Sequence, residues 1–214
     1  MKKGLTELVF ILDRSGSMTG LESDTIGGFN SMIRKQKKEG VLVTTVLFDN
    51  VFETIHKRVP IEKIEEMTEE EYYTRGSTAL LDAMGSTIGD IRKKQKRQKV
   101  CERPEKTIFV IITDGQENSS RSYDYDDIRE LVEKQRNLGW EFLFLGANFD
   151  AFAEGQRLGI RRERSCKIVA DYEGTRRAYE DVGNFIVQAE ECECMEDINE
   201  EWCASSEEYY LSKE

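Results

Sequence analysis

Asp13, Ser15 and Ser17 alternate in the run Asp13-Arg14-Ser15-Gly16-Ser17. One carboxylate and two hydroxyls at that spacing are oxygen donors, the ligand chemistry of a hard cation such as Mg²⁺. The run follows Leu8-Val9-Phe10-Ile11-Leu12, an apolar segment of strand length. It precedes Thr19 and Gly20, which lead into a helical pattern. The donors therefore belong on a tight loop at the carboxyl end of a buried strand, where open α/β sheets bind ligands. Two further loops offer matching groups: Thr78 just before a helical stretch, and Asp114 after the apolar run Ile108 to Ile112. Two carboxylates and three hydroxyls make a weakly charged oxygen shell. An octahedral ion in it needs waters or an outside oxygen to complete its coordination. Mg²⁺ and Mn²⁺ both suit such a shell. Taken alone, Asp13, Ser15 and Ser17 also fit a helix N-cap loop.

The elements that must position these donors alternate between strand and helix. Strands are predicted over Glu7 to Leu12, Val41 to Phe48, Val51 to Val59, Thr107 to Ile112, Trp140 to Leu145 and Lys167 to Ala170. Asp49-Asn50 reads as a two-residue turn, so the third strand is an antiparallel partner of the second at a sheet edge. Helical spacing of apolar residues marks Ile26 to Ile33, with Gly40 as C-cap, then Leu80 to Ile91, Ile128 to Leu138, Asp150 to Leu158 and Thr175 to Ala189. Near-continuous apolar strands separated by amphipathic helices predict an α/β fold: a doubly wound, Rossmann-like, mostly parallel sheet with one antiparallel edge strand and helices on both faces.

The Asp13, Ser15, Ser17 run, the lone Thr78 in Gly76-Ser77-Thr78-Ala79, and the Thr113-Asp114-Gly115 turn together resemble the metal-ion-dependent adhesion site of von Willebrand factor type A domains. The resemblance spans roughly Leu5 to Ala189. It implies that the first strand and the strand before Asp114 are neighbours at the switch point. It implies that Ser15 and Ser17 bind Mg²⁺ directly, while Asp13, Thr78 and Asp114 exchange direct and water-mediated contacts. A Glu or Asp of a protein partner would fill the open position. The stretches Arg75 to Ala83 and Leu145-Gly146-Ala147-Asn148 look most like freestanding bacterial members of that family, whose partners are poorly defined. The expected organisation is a domain over residues 1–190 and an acidic, Cys-containing tail over 191–214.

Charge and composition exclude other classes. The net charge of −11 is concentrated late: after Phe185 there are one basic and ten acidic residues. The near-neutral body gives a nucleic acid no basic face to bind. The N-terminal apolar stretch is short, contains Thr6 and Glu7 and runs into Asp13, so it reads as a strand rather than a secretion signal. No window has membrane-spanning length. Five cysteines without a C-x-x-C pair fit reduced thiols and a cytoplasmic location.

His56 is the only histidine and lies away from the donor loops, against a His-dependent hydrolase. There is no G-x-x-x-x-G-K-[ST] and no G-x-S-x-G. An Mg²⁺-dependent phosphatase with Asp13 as nucleophile is the main rival, although Ser15 stands where such an enzyme wants a second Asp. A scaffold with a purely structural metal is the third reading. The basic run Arg92 to Lys99 reads as a solvated helix end. Cys192, Cys194 and Cys203 lack zinc-knuckle spacing. Trp202, Tyr209 and Tyr210 give the tail something to bury. The tail's many carboxylates suggest that a tail Glu mimics the partner's ligand, allowing self-interaction. The flanking loops Thr19 to Asp24 and Glu117 to Asp127 are expected to choose among acidic partners, and Arg14 and Arg121 would assist by charge if they lie near the rim.

Overall fold

Runs of Val, Ile, Leu and Phe that are apolar at every position have no face to offer water, and they form the centre of the sheet. The computed structural model describes residues 1–36, 38–192, 195 and 198–213. Six strands are arranged in the order β3-β2-β1-β4-β5-β6. They are β1 (Lys2–Asp13), β2 (Val41–Phe48), β3 (Phe52–Pro60), β4 (Pro104–Thr113), β5 (Trp140–Ala147) and β6 (Ser165–Ile168). All neighbours are parallel except β2 and β3. The predicted fold class is the observed one.

Among the described residues, six α-helices cover this sheet: α1 (Glu22–Lys35), α2 (Leu80–Arg97), α3 (Tyr125–Arg136), α4 (Ala151–Arg157), α5 (Tyr172–Glu191) and α6 (Ala204–Leu211). Alternate residues of β1 point to opposite faces. Leu8, Phe10 and Leu12 pack with Phe29 of α1 and Phe185 of α5. Val9 and Ile11 pack with Met84 of α2, Ile128 of α3 and Ala151 of α4. Both faces are dry, which pins the register of the central strands.

Element boundaries differ from the sequence expectation in four places. The first helix stops at Lys35, and the buried Gln36 gives its side-chain amide to Gly183 O at 2.7 Å. Gly40 (φ +87°) lies instead in the turn that enters β2. The hairpin loop has three residues, since Phe48 pairs with Phe52. Further along, β3 slips register, and Arg58 (φ 54°) reaches Glu7 at 2.6 Å. The last strand runs from Ser165 to Ile168, earlier than its apolar residues suggest. The buried Ser165 hydroxyl is satisfied by Arg161 O at 3.2 Å, so a polar residue can occupy this strand.

The fourth difference is α6, which carries no clear period in the sequence. The tail packs onto β6 and α5. Trp202 is buried with its ring edge on Phe185, and its Nε1 donates to Glu163 O at 2.9 Å. Ser206 donates to Asp181 Oδ2 through both its amide (2.9 Å) and its hydroxyl (2.6 Å). Tyr209 Oη donates to Asp171 at 2.9 Å. Cys194 lies outside the described residues. Among the described residues, no helix is long and apolar enough to cross a membrane.

Candidate functional site

The crossovers that leave β1 and β4 run to opposite sides of the sheet, which opens a crevice between their carboxyl ends. The register Leu12↔Ile112 sets Asp13 beside Thr113. Asp13 is 1% exposed. Its Oδ1 accepts the Ser15 amide at 2.7 Å, and its Oδ2 accepts the Thr113 hydroxyl at 2.5 Å. Tyr72, fully buried, donates its hydroxyl to Asp13 O at 2.5 Å and holds the strand end from below.

The hydroxyls form a chain across the crevice. Ser15 Oγ and Ser17 Oγ are 3.0 Å apart, and Ser17 Oγ donates to Asp114 Oδ1 at 2.6 Å. Ser15, Thr78 and Asp114 are buried, whereas Ser17 is exposed and marks the open side. Gly115 shows where the hydroxyls converge. A Cβ there would lie 2.9 Å from Thr78 Oγ1, 3.0 Å from Ser17 Oγ and 3.6 Å from Ser15 Oγ. All five expected residues are thus brought together from three loops.

The Thr78 loop is laced to the first loop by backbone bonds. Gly16 N donates to Gly76 O at 3.1 Å and Arg75 N to Arg14 O at 2.9 Å. Gly76 has φ +68°, a conformation that L side chains seldom adopt. Thr78 itself is clamped by Asn118, which accepts its amide at 2.9 Å and donates back to Thr78 O at 3.0 Å. The N-terminus of α2 has no side-chain cap of its own. The following loop supplies one: Glu117 accepts Leu81 N at 3.0 Å, and Ser120 Oγ accepts Asp82 N at 3.0 Å. Asp82 in return accepts the amides of Arg121, Ser122 and Tyr123.

Burial pushes the Asp13 carboxyl up to about 6, against the hydrogen bonds from Thr113 and Ser15, and the charge of Asp114 adds to the rise. Burial raises Asp114 as well, opposed by Ser17. Among the described residues, every hydrogen bond to these two carboxylates comes from an amide or a hydroxyl. Also among the described residues, no group of three or more His, Cys, Asp or Glu side chains is gathered to hold a metal. A metal in the crevice would rest on two carboxylates and three hydroxyls. Hard oxygen donors of low total charge suit Mg²⁺ or Mn²⁺.

Arg14 is not at the rim. It is fully buried, with Nε 2.9 Å from Asp49 Oδ2, Nη1 on Glu71 O at 3.1 Å and Nη2 on Glu53 at 3.1 Å. The parallel register Asp13↔Phe48 explains this, because it places the next residue of each strand side by side. Arg75 also reaches Asp49, at 2.8 Å. Arg121 is exposed on the loop before α3. The roles of Thr113, Tyr72, Glu117 and Asp82 escape sequence reasoning. Only the Thr113-Asp114-Gly115 turn signals one of them, by its position at the strand end.

Compared with families of known proteins, residues 7–180 match the von Willebrand factor type A domain. No match was found among curated proteins. The pilus adhesin SpaC of Lactobacillus rhamnosus GG superposes with TM-score 0.63 at 12% identity, over 88% of this chain and 30% of that one. The von Willebrand factor domain of the type V pilus tip protein Mfa5 of Porphyromonas gingivalis gives 0.60 at 10% identity, over 86% and 96%. Proximal thread matrix protein 1 of the mussel byssus, solved with a zinc-occupied adhesion motif, gives 0.56 at 16% identity, over 85% and 45%. This chain therefore spans less than half the length of the mussel protein's structure. At such identities the likenesses show the fold.

Proposed function

The chain belongs to the von Willebrand factor type A domain family, and from that premise we propose that it is a metal-dependent protein-binding module. Asp13, Ser15, Ser17, Thr78 and Asp114 would hold Mg²⁺, with Mn²⁺ as the alternative ion. The bound ion supplies one open coordination position for a carboxylate oxygen of a partner's Glu or Asp. The observation that carries this reading is the convergence of three hydroxyls beside two carboxylates that no basic side chain among the described residues neutralises. A closed structural cluster would balance its own charge. This one leaves a cation's work undone.

The protein's own residues then have separate tasks. Thr113 and the Ser15 amide hold Asp13 in a fixed rotamer. The Asn118 clamp fixes Thr78. Ser17, on the exposed side, faces an arriving partner. The loop ordered by Glu117 and Asp82 offers the partner a firm wall. Such preorganisation lowers the entropic cost of binding. The phosphatase reading finds less support, because Ser15 stands where such an enzyme wants a second Asp.

A cytoplasmic location belongs to the same proposal, since the four described cysteines are free thiols. Self-interaction would have to run between copies, because the described tail is held by Asp181, Glu163 and Asp171 on the β6 side.

The test is titration of Mg²⁺ and of Mn²⁺ into chelator-treated protein, followed by thermal unfolding and by binding of a Glu-bearing peptide. Ion at about 100 times its Kd should stabilise by about 2.7 kcal/mol. Thr78→Ala should fold yet lose most of that gain and the peptide binding. Stabilisation by metal with unaltered peptide binding would point to the structural-metal scaffold. Phosphate release from a generic substrate, abolished by Asp13→Asn, would favour the phosphatase.

A further inference from the structure

Behind Asp114, on the face covered by α1 and α5, lies a cavity of about 20 Å³ lined by Met18, Thr25, Thr113, Asp114, Ala147 and Tyr179 among others. One water needs about 10–15 Å³ of such space and two to four polar partners. Thr25 and Tyr179 are each 2% exposed. Among the described residues, Tyr179 Oη has no hydrogen-bond partner, and Thr25 Oγ1 makes no well-aligned hydrogen bond although the Tyr72 hydroxyl lies near it. The Tyr179 ring has little freedom to seek one, since a Cβ on Gly28 would sit 2.3 Å from its Cδ2. Leaving two buried hydroxyls unsatisfied is costly. Asp114 complements them: Ser17 occupies its Oδ1, and no other described residue donates to its Oδ2.

We propose that this cavity is a binding site for one internal water, which bonds to the hydroxyls of both Thr25 and Tyr179 and donates to Asp114. Thr25 and Tyr179 then act as positioning residues. They tie α1 and α5 to a carboxylate of the crevice. The positioning role rests on the metal-binding reading above, whereas the water site does not.

Thermal unfolding of chelator-treated Thr25→Val, Tyr179→Phe and the double variant tests the water site without any metal. A hydroxyl that holds a buried water loses stability when removed. An orphaned hydroxyl gains it. Each single variant should lower Tm by about 2–4 °C. The double variant should lose less than the sum, since both hydroxyls serve one water. Thr25→Ser, which keeps the hydroxyl, should stay near the parent. A Tm for Tyr179→Phe at or above the parent, or additive losses, overturns the site. In Mn²⁺ titrations, Tyr179→Phe and Thr25→Val should each weaken affinity several-fold, with Thr25→Ser unchanged. Unaltered affinity beside lowered Tm overturns the positioning role. If the parent chain itself binds no ion, the metal reading fails while the unfolding experiment still decides the water.

Discussion

Asp13 ends β1 and Asp49 follows the neighbouring β2 at the same edge of the sheet, and both are essentially inaccessible to water. Electrostatically they are opposites. Burial alone would raise the Asp49 carboxyl, yet hydrogen bonds from Arg75, the Val51 amide and Arg14 hold it below the usual carboxylate range. Asp13 receives only an amide and a hydroxyl and is pushed up to about 6. Arg14 lies one residue from Asp13 in the chain, but its charge is spent on Asp49. One carboxylate is a finished structural tie. The other has no countercharge among the described residues, which is the imbalance the proposed metal would answer.

That contrast can be broken by neutralising each carboxylate in turn. Asp49→Asn should have the largest effect, about 3–5 kcal/mol of lost stability in urea unfolding, because it removes the fully buried carboxylate paired with Arg14 and leaves that guanidinium the exposed Glu53 as its charged partner. A loss below 1 kcal/mol, roughly that of a surface pair, would mean that the two clusters do not differ as described. Gly115→Ala should come next. Its new methyl would lie about 3 Å from Thr78 Oγ1 and Ser17 Oγ, costing about 1–3 kcal/mol by overpacking. It should also abolish the Mg²⁺-dependent rise in Tm. A normal response to Mg²⁺ in that variant would place any ion elsewhere.

Asp13→Asn should behave in the reverse sense of Asp49→Asn when metal is chelated. A folded carboxyl raised from 3.8 to about 6 lends stability that is complete below pH 3.8 and lost as pH climbs through 6. The wild type should therefore lose ground to Asp13→Asn between about pH 4 and 6, and saturating Mg²⁺ should reverse the order. Parallel pH curves for the two proteins would remove the proposed charge imbalance. The smallest effect belongs to Arg75→Gln. Asp49 keeps Arg14, so stability should fall by less than in Asp49→Asn, and the Mg²⁺ response should survive.

Much of the fold was legible because its signals are local. Continuous apolar runs such as Phe109 to Ile112 dictate strands buried on both faces, and the 3.6-residue period of Leu80, Met84, Ile88 and Ile91 dictates a helix. Boundaries set by pairing were harder to see. The last strand begins at the polar Ser165 because β5 offers it partners there. The tail helix α6 has almost no periodic pattern, and it is held by Trp202, Ser206 and Tyr209 acting on distant residues. The burial of Arg14, which rules out a charge role at the rim, was hidden for a similar reason. Its partner Asp49 is 35 residues away, and no local rule says which way an arginine between two ligand-like residues will turn.

The sequence by itself determined which oxygen donors the chain owns, that they fall after apolar strands, and that their order matches an adhesion-site pattern. Donor type and strand propensity are properties of single residues and short windows. Only the tertiary structure decided which charges neutralise one another. Parallel register delivered Arg14 and Arg75 to Asp49 and left Asp13 and Asp114 to amides and hydroxyls. Electrostatic energy depends on distance and burial rather than on position along the chain, so this charge imbalance exists only once the sheet has formed.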